Sequence, residues 1–153
     1  MKLLKNIIIF LVINFGALAI GSWLMNNGPQ TEWYTSLNQA PWTPPGWVFG
    51  VAWTTIMVCF SIYMAYLYKL LPTTKVITLF AVQFVLNVIW NYIFFNQHLV
   101  GVGFTVILLL TFIIATITLS FLKDMNAKTL LILPYLIWLC IATSLNGYIL
   151  LNN

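Results

Sequence analysis

Five stretches of about twenty predominantly apolar residues, separated by short polar breaks, run through this chain of 153 residues. Each is long enough to cross a bilayer as a helix. They cover 5–25, 46–68, 75–95, 100–122 and 129–151. Inside hydrocarbon every backbone N–H and C=O must be paired within the protein, which leaves only helices or a closed barrel, and stretches of this length select helices. Composition agrees. The chain is 62% hydrophobic and 5% charged, whereas soluble domains are about a quarter charged. Six lysines, two carboxylates and no arginine cannot coat a soluble surface of this size. The prediction is an all-α integral membrane protein: one domain, 1–153, built as a five-transmembrane-helix bundle with a long outer loop between helices 1 and 2.

The lysines test this segmentation. Lys2 and Lys5 precede the first span, Lys69 and Lys75 flank the second turn of the chain, and Lys123 and Lys128 flank the fourth. With five spans all six fall on one side, and the 26–45 loop, the turn near His98 and the C-terminus fall on the other. By the positive-inside rule the N-terminus is cytoplasmic and the C-terminus outside, in a bacterial cytoplasmic membrane. The net charge of +4 therefore speaks to topology, and no nucleic-acid partner is expected. The N-terminus imitates a signal peptide, with Ala17-Leu18-Ala19 as a cleavage site. Its apolar run continues to Met25, long enough to remain as a spanning helix. Cys59 and Cys140 lie within apolar runs and in no CxxC motif, so neither a disulfide nor a metal site is expected.

Tryptophan in membrane proteins favours the interfaces, where its N–H stays wet. Trp23, Trp47 and Trp90 lie near outer helix ends and fit such a belt. Trp53 and Trp138 do not: at 1.5 Å per residue they lie about 10 Å and about 13 Å from the nearer helix ends. An indole N–H unpaired in hydrocarbon is costly, so both rings should face the bundle interior. The third span carries Gln83, Asn87 and Asn91 on one stripe, at i, i+4 and i+8. Intramembrane amides either bond helices together or line a site. On the fifth span Trp138, Ala142 and Leu145 share a face, with Ala142 leaving room beside the indole, and Pro134 either kinks the helix near its inner end or lies close enough to its start to be tolerated. Gly50, Trp53 and Met57 share a face of the second.

Assembled by depth, Trp53, Asn87 and Trp138 occupy the middle-to-outer bundle beneath a loop that brings Trp33, Tyr34 and Trp42. Ala40, Thr43 and Pro44 each precede a proline and are pushed toward extended geometry, so this lid should be stiff. Rigid aromatic walls with few charges suit a large, flat, mostly apolar ligand.

The stretch "WYTSLNQAPWTPPGWVFGVAW", Trp33 to Trp53, closely resembles the signature of the TspO/MBR family, tryptophan-rich sensory proteins related to the translocator or peripheral-type benzodiazepine receptor. "LNVIWNYIFF" and "PYLIWLCIATSLNGYI" resemble its third and fifth helix motifs, so the likeness covers essentially the whole chain. It implies a five-helix membrane protein, commonly a homodimer, that binds tetrapyrroles such as protoporphyrin IX. In some members photochemical porphyrin degradation is proposed, with two pocket tryptophans that match Trp53 and Trp138 here. Trp33, Tyr34, Pro44, Asn87, Ala142 and Leu145 also match pocket positions, and Trp42 and Gln83 join the candidate ligand-binding set. No cofactor is required; porphyrin is ligand or substrate. The basic end of the animal cholesterol motif is missing, because the chain closes "ILLNN" after Tyr148. No sterol specificity follows.

Three functions remain distinct: binding with photooxidative turnover of porphyrin at Trp53 and Trp138, transport of porphyrin or another lipophile, and ligand sensing through a partner. Glu32, Asp124 and His98 are too scattered for acid–base or metal chemistry.

Overall fold

A computed structural model describes residues 2–153, all of it helix and connection. Five long helices dominate: α1 (Lys2–Leu24), α2 (Gly46–Leu70), α3 (Thr74–Asn91), α4 (Val100–Ser120) and α5 (Leu133–Asn152). Each lies in a segment long and apolar enough to cross a membrane. Most ends fall within a few residues of the sequence-based spans. Two differ for physical reasons. α3 passes into a π-helical turn, Tyr92–Asn96, instead of ending as plain α-helix. α5 starts at Leu133, not at 129, because Asn126–Leu131 winds as a 3₁₀ helix. Pro134 then sits in the first turn of α5, where its missing N–H would have no helical partner, so the helix start tolerates it.

Leu24 and Gly46 are not joined by an open loop. The connection winds into a 3₁₀ turn, Gly28–Gln30, and a helical turn, Glu32–Thr35, whose cap Thr31 accepts the Tyr34 backbone N–H at 3.4 Å. Asn26 and Asn27 turn the chain out of α1 with φ of 49° and 58°, the left-handed region that asparagine tolerates better than most residues. The Asn96 side-chain amide donates to the Leu24 carbonyl at 3.0 Å and so satisfies one of the orphan acceptors at the end of α1.

The helices form a closed ring: α1 packs on α2 and α3, α4 on α3 and α5, and α5 returns to α2 through the sparsest of these contacts. Buried polar pairs tie the ring together. Asn14 donates to Ser61 at 2.8 Å between α1 and α2, and the Tyr135 hydroxyl donates to Gln83 Oε1 at 2.8 Å between α5 and α3. Interhelical bonds of this kind contribute about 0.6 kcal/mol each. Ala17 and Gly21, a small-residue pair on α1, face inward. A Cβ on Gly21 would lie 2.6 Å from Asn91 Nδ2, so this glycine permits the close approach of α1 to α3.

Packing is uneven along the bundle. Toward the lysine-bearing end Phe60, Tyr63, Leu67, Leu110, Ile114, Ile117, Met125, Ile132 and Leu139 are all buried in one cluster. Toward the other end the helices enclose space.

Candidate ligand cavity

A cavity of about 360 Å³ opens at that second end, between the start of α2, the end of α3 and the outer two-thirds of α5. It forms where the ring is weakest. α2 contributes Phe49 and Trp53 and α5 contributes Trp138, Ala142, Leu145, Asn146 and Ile149, and aromatic edges bridge the two there: Phe49 meets Trp138 at 5.3 Å and 86°. Trp53 in turn rests edge-on against Tyr135 at 6.1 Å. The connection between α1 and α2 closes the top through Pro29, Tyr34, Gln39, Thr43 and Pro44.

The π turn sets the third wall. The extra residue in the turn shifts the facing of the helix end, and Phe94 and Phe95 are both buried and both line the cavity. Trp90 stacks on Phe94 at 5.3 Å and 14°. Its N–H donates to Asn146 Oδ1 at 3.3 Å, while the Asn146 amide donates to the Ala142 carbonyl at 2.8 Å. Among the described residues the indole N–H groups of Trp53 and Trp138 have no such partner and remain available to an acceptor on a ligand.

No lining residue carries a formal charge. Burial pushes the Tyr34 phenol above its ordinary pKa, which keeps it neutral. Among the described residues no three His, Cys, Asp or Glu side chains cluster as metal ligands. What this arrangement offers chemically is aromatic faces, a few amides and oxidisable indoles.

Of the ten residues picked from sequence, Tyr34, Pro44, Trp53, Trp138, Ala142 and Leu145 come together on the cavity wall. The other four lie elsewhere. Trp33 stacks on His98 at 4.0 Å and 7° and meets Phe94 edge-on at 5.6 Å, one layer outside the cavity. Trp42 is 54% exposed, with its N–H on Ser144 Oγ at 3.1 Å and its ring edge-on to Tyr148. Gln83 is taken up by Tyr135. Asn87 lines a separate chamber of about 50 Å³ beside α1, together with Ser22, Met25, Trp53 and Asn91. The stripe of three amides is therefore split: Gln83 bonds helices, Asn87 faces the small chamber, and Asn91 touches both spaces.

Trp90 departs from the interfacial belt expected of it and is half-buried in the wall, whereas Trp23 and Trp47 are 78% and 71% exposed, as belt residues should be. Sequence reasoning also passed over Phe49, Asn146 and Ile149. The signal for Asn146 was present: it follows Ala142 at i+4 on the Trp138 face.

Residues 8–151 match the sequence pattern of the TspO/MBR family. The chain belongs to the TspO/MBR family. It is similar to a tryptophan-rich sensory protein of Cereibacter sphaeroides, 30% identical over 75% of this chain and 73% of that one. It is 32% identical to a tryptophan-rich protein TspO of Archaeoglobus fulgidus over 100% of this chain and 97% of its relative, and 32% identical to the human translocator protein over 83% and 78%. TspO/MBR membership and the five apolar helices together make it an integral membrane protein. Within this TspO/MBR chain the three motif stretches converge: the connection and start of α2, the end of α3, and α5 each supply one side of the cavity.

Proposed function

We propose that this TspO/MBR protein binds tetrapyrroles of the protoporphyrin IX type in the cavity walled by Trp53 and Trp138. One observation carries the reading: an uncharged cavity of about 360 Å³ with aromatic rings on opposing helices, a size and lining typical of sites for flat organic ligands. The connection between α1 and α2 covers this space through Pro29, Tyr34, Gln39, Thr43 and Pro44. In this reading the connection is the outer loop acting as a lid over the bound ligand.

Light-dependent degradation of the porphyrin is part of the proposal. Indoles are oxidisable, and a photoexcited porphyrin against Trp53 or Trp138 can exchange an electron with either ring or activate oxygen beside them. The second reading is transport or sensing without catalysis. It is favoured by the absence of Asp, Glu, Lys and His from the cavity lining. Purified protein titrated with protoporphyrin IX, in the dark and under illumination, separates them. Loss of the porphyrin spectrum only in light, abolished by Trp53→Phe and Trp138→Phe, supports turnover; a stable spectrum with tight binding supports the second reading. Affinity unchanged in both variants sinks the site itself.

Two further parts of the reading concern assembly and orientation. A homodimer is expected from the family, and crosslinking in native membranes tests it. The lysine distribution supports a cytoplasmic N-terminus and an outer C-terminus, and the proposed location is a bacterial cytoplasmic membrane. Labelling of Lys2→Cys and Asn153→Cys with an impermeant thiol reagent, in cells and in inverted vesicles, reads this directly.

A further inference from the structure

The lysine-bearing end carries an unneutralised ring of charge that the cavity does not use. Lys2 and Lys5 begin α1, Lys69 ends α2, Lys75 begins α3, and Lys123 and Lys128 lie in the α4–α5 connection, all six exposed. Asp124 is the lone carboxylate beside them, since Glu32 belongs to the other end. One aspartate cannot neutralise six ammoniums.

Two of these charges are held in place across helix boundaries. Lys75 Nζ lies 5.5 Å from the Phe121 ring centroid, bridging the start of α3 to the end of α4. Lys128 Nζ lies 5.1 Å from the Tyr66 ring, bridging the α4–α5 connection to α2. Aromatic faces attract ammoniums, and a side chain already held loses less freedom when an anion arrives. Both lysines are exposed.

We propose that this rim is a binding surface for the anionic headgroups of phospholipids. Depth selects the partner. α2 ends at Leu70, α3 starts at Thr74 and α4 ends at Ser120, so the lysines stand within about a turn of the apolar spans, at headgroup level. Lysines at that level attract anionic lipid through a field that fades within a Debye length. Charges contributed by four separate parts of the chain surround the bundle and match several headgroups better than one acidic partner protein.

The test is the full chain reconstituted in mixed phosphatidylcholine and phosphatidylglycerol, extracted gently, with retained lipid identified by native mass spectrometry. The expected result is several-fold enrichment of phosphatidylglycerol over the bulk mixture. It should fall at least two-fold in the triple variant Lys75→Gln, Lys123→Gln, Lys128→Gln and persist in the matching Lys→Arg variant. Free glycerol phosphate should not displace it; displacement would mean a site for soluble anions and would overturn the proposal. Retained lipid with bulk composition would also overturn it, leaving an acidic protein as the alternative partner. Should the glutamine variant fail to insert, the wild type decides: enrichment that survives 1 M salt, where the Debye length is about 3 Å, is not electrostatic.

Discussion

Gly28→Ala tests whether the connection over the cavity behaves as a lid. Gly28 is buried in the 3₁₀ turn, and a Cβ built there comes within 2.5 Å of Phe95 Cδ1 and closer still to its Cβ and Cγ. Carbon atoms sit comfortably about 3.5–4.0 Å apart, so the two groups must separate by about 1 Å. Phe95 cannot rotate away, because its own Cβ is in the clash and it is fixed in the π turn against Phe94 and Trp90. The connection must retreat instead. Overpacking of this kind costs about 1–3 kcal/mol, which, if spent on seating the lid, raises the ligand off-rate roughly 5- to 150-fold. Stopped-flow fluorescence with bound protoporphyrin IX reads the off-rate, and thermal unfolding in the same detergent reads the bundle. Gly16→Ala is the control, since a Cβ there meets nothing within 4 Å. The expected pattern is a faster off-rate with a nearly unchanged unfolding temperature. A lowered unfolding temperature with an unaltered off-rate would refute the lid, because the strain would then have gone into the bundle.

Three further outcomes follow from single contacts. Tyr135→Phe and Gln83→Leu each leave a buried partner unpaired and should each cost about 1–3 kcal/mol; the double variant should cost clearly less than their sum in thermal unfolding, and strict additivity would deny the bond. Trp90→Phe removes the donor on Asn146 Oδ1 and should cost about 1 kcal/mol, seen as roughly five-fold weaker porphyrin binding if that amide is held for the ligand. Burial raises the Tyr34 phenol pKa, so its contribution to stability is complete below the unfolded value of about 10 and is lost as pH climbs through the folded value. Stability of Tyr34→Phe should therefore fall less steeply than wild type above pH ~10, and parallel curves would contradict the burial.

What could be read from the sequence was whatever depth and period control. The five spans followed from length and hydropathy, and Trp53 and Trp138 were separated from the exposed Trp23 and Trp47 because an indole deep in hydrocarbon cannot face lipid. Rotation about the helix axis was harder. An ideal 3.6-residue period put Gln83, Asn87 and Asn91 on one stripe, yet their surroundings divide them: Tyr135 takes Gln83, α1 encloses Asn87, and of the three only Asn91 reaches the cavity. The π turn was invisible for a related reason. It inserts a residue into the period and so shifts the facing of every residue after it, and Phe94 and Phe95 both line the wall there. Trp33 and Trp42 were correctly assigned to the connection, but which of its aromatics faces inward depends on turns set by Asn26, Asn27 and the Thr31 cap, a conformation that periodicity does not encode.

The hollow end also has an energetic consequence that a filling substitution exposes. Side chains that line an unfilled space forgo the dispersion contacts a packed neighbour would supply, and Ala142 lines such a space. Ala142→Leu places extra methylenes into the space beside Trp138, where the alanine is 7% exposed and lines the wall. Unliganded protein should then be as stable as wild type or more so, by up to about 2 kcal/mol, while affinity for protoporphyrin IX falls at least ten-fold. The two readings must move in opposite directions. If the substitution instead lowers stability and spares binding, the space beside Trp138 is already occupied by protein in the membrane, and the ligand enters somewhere else.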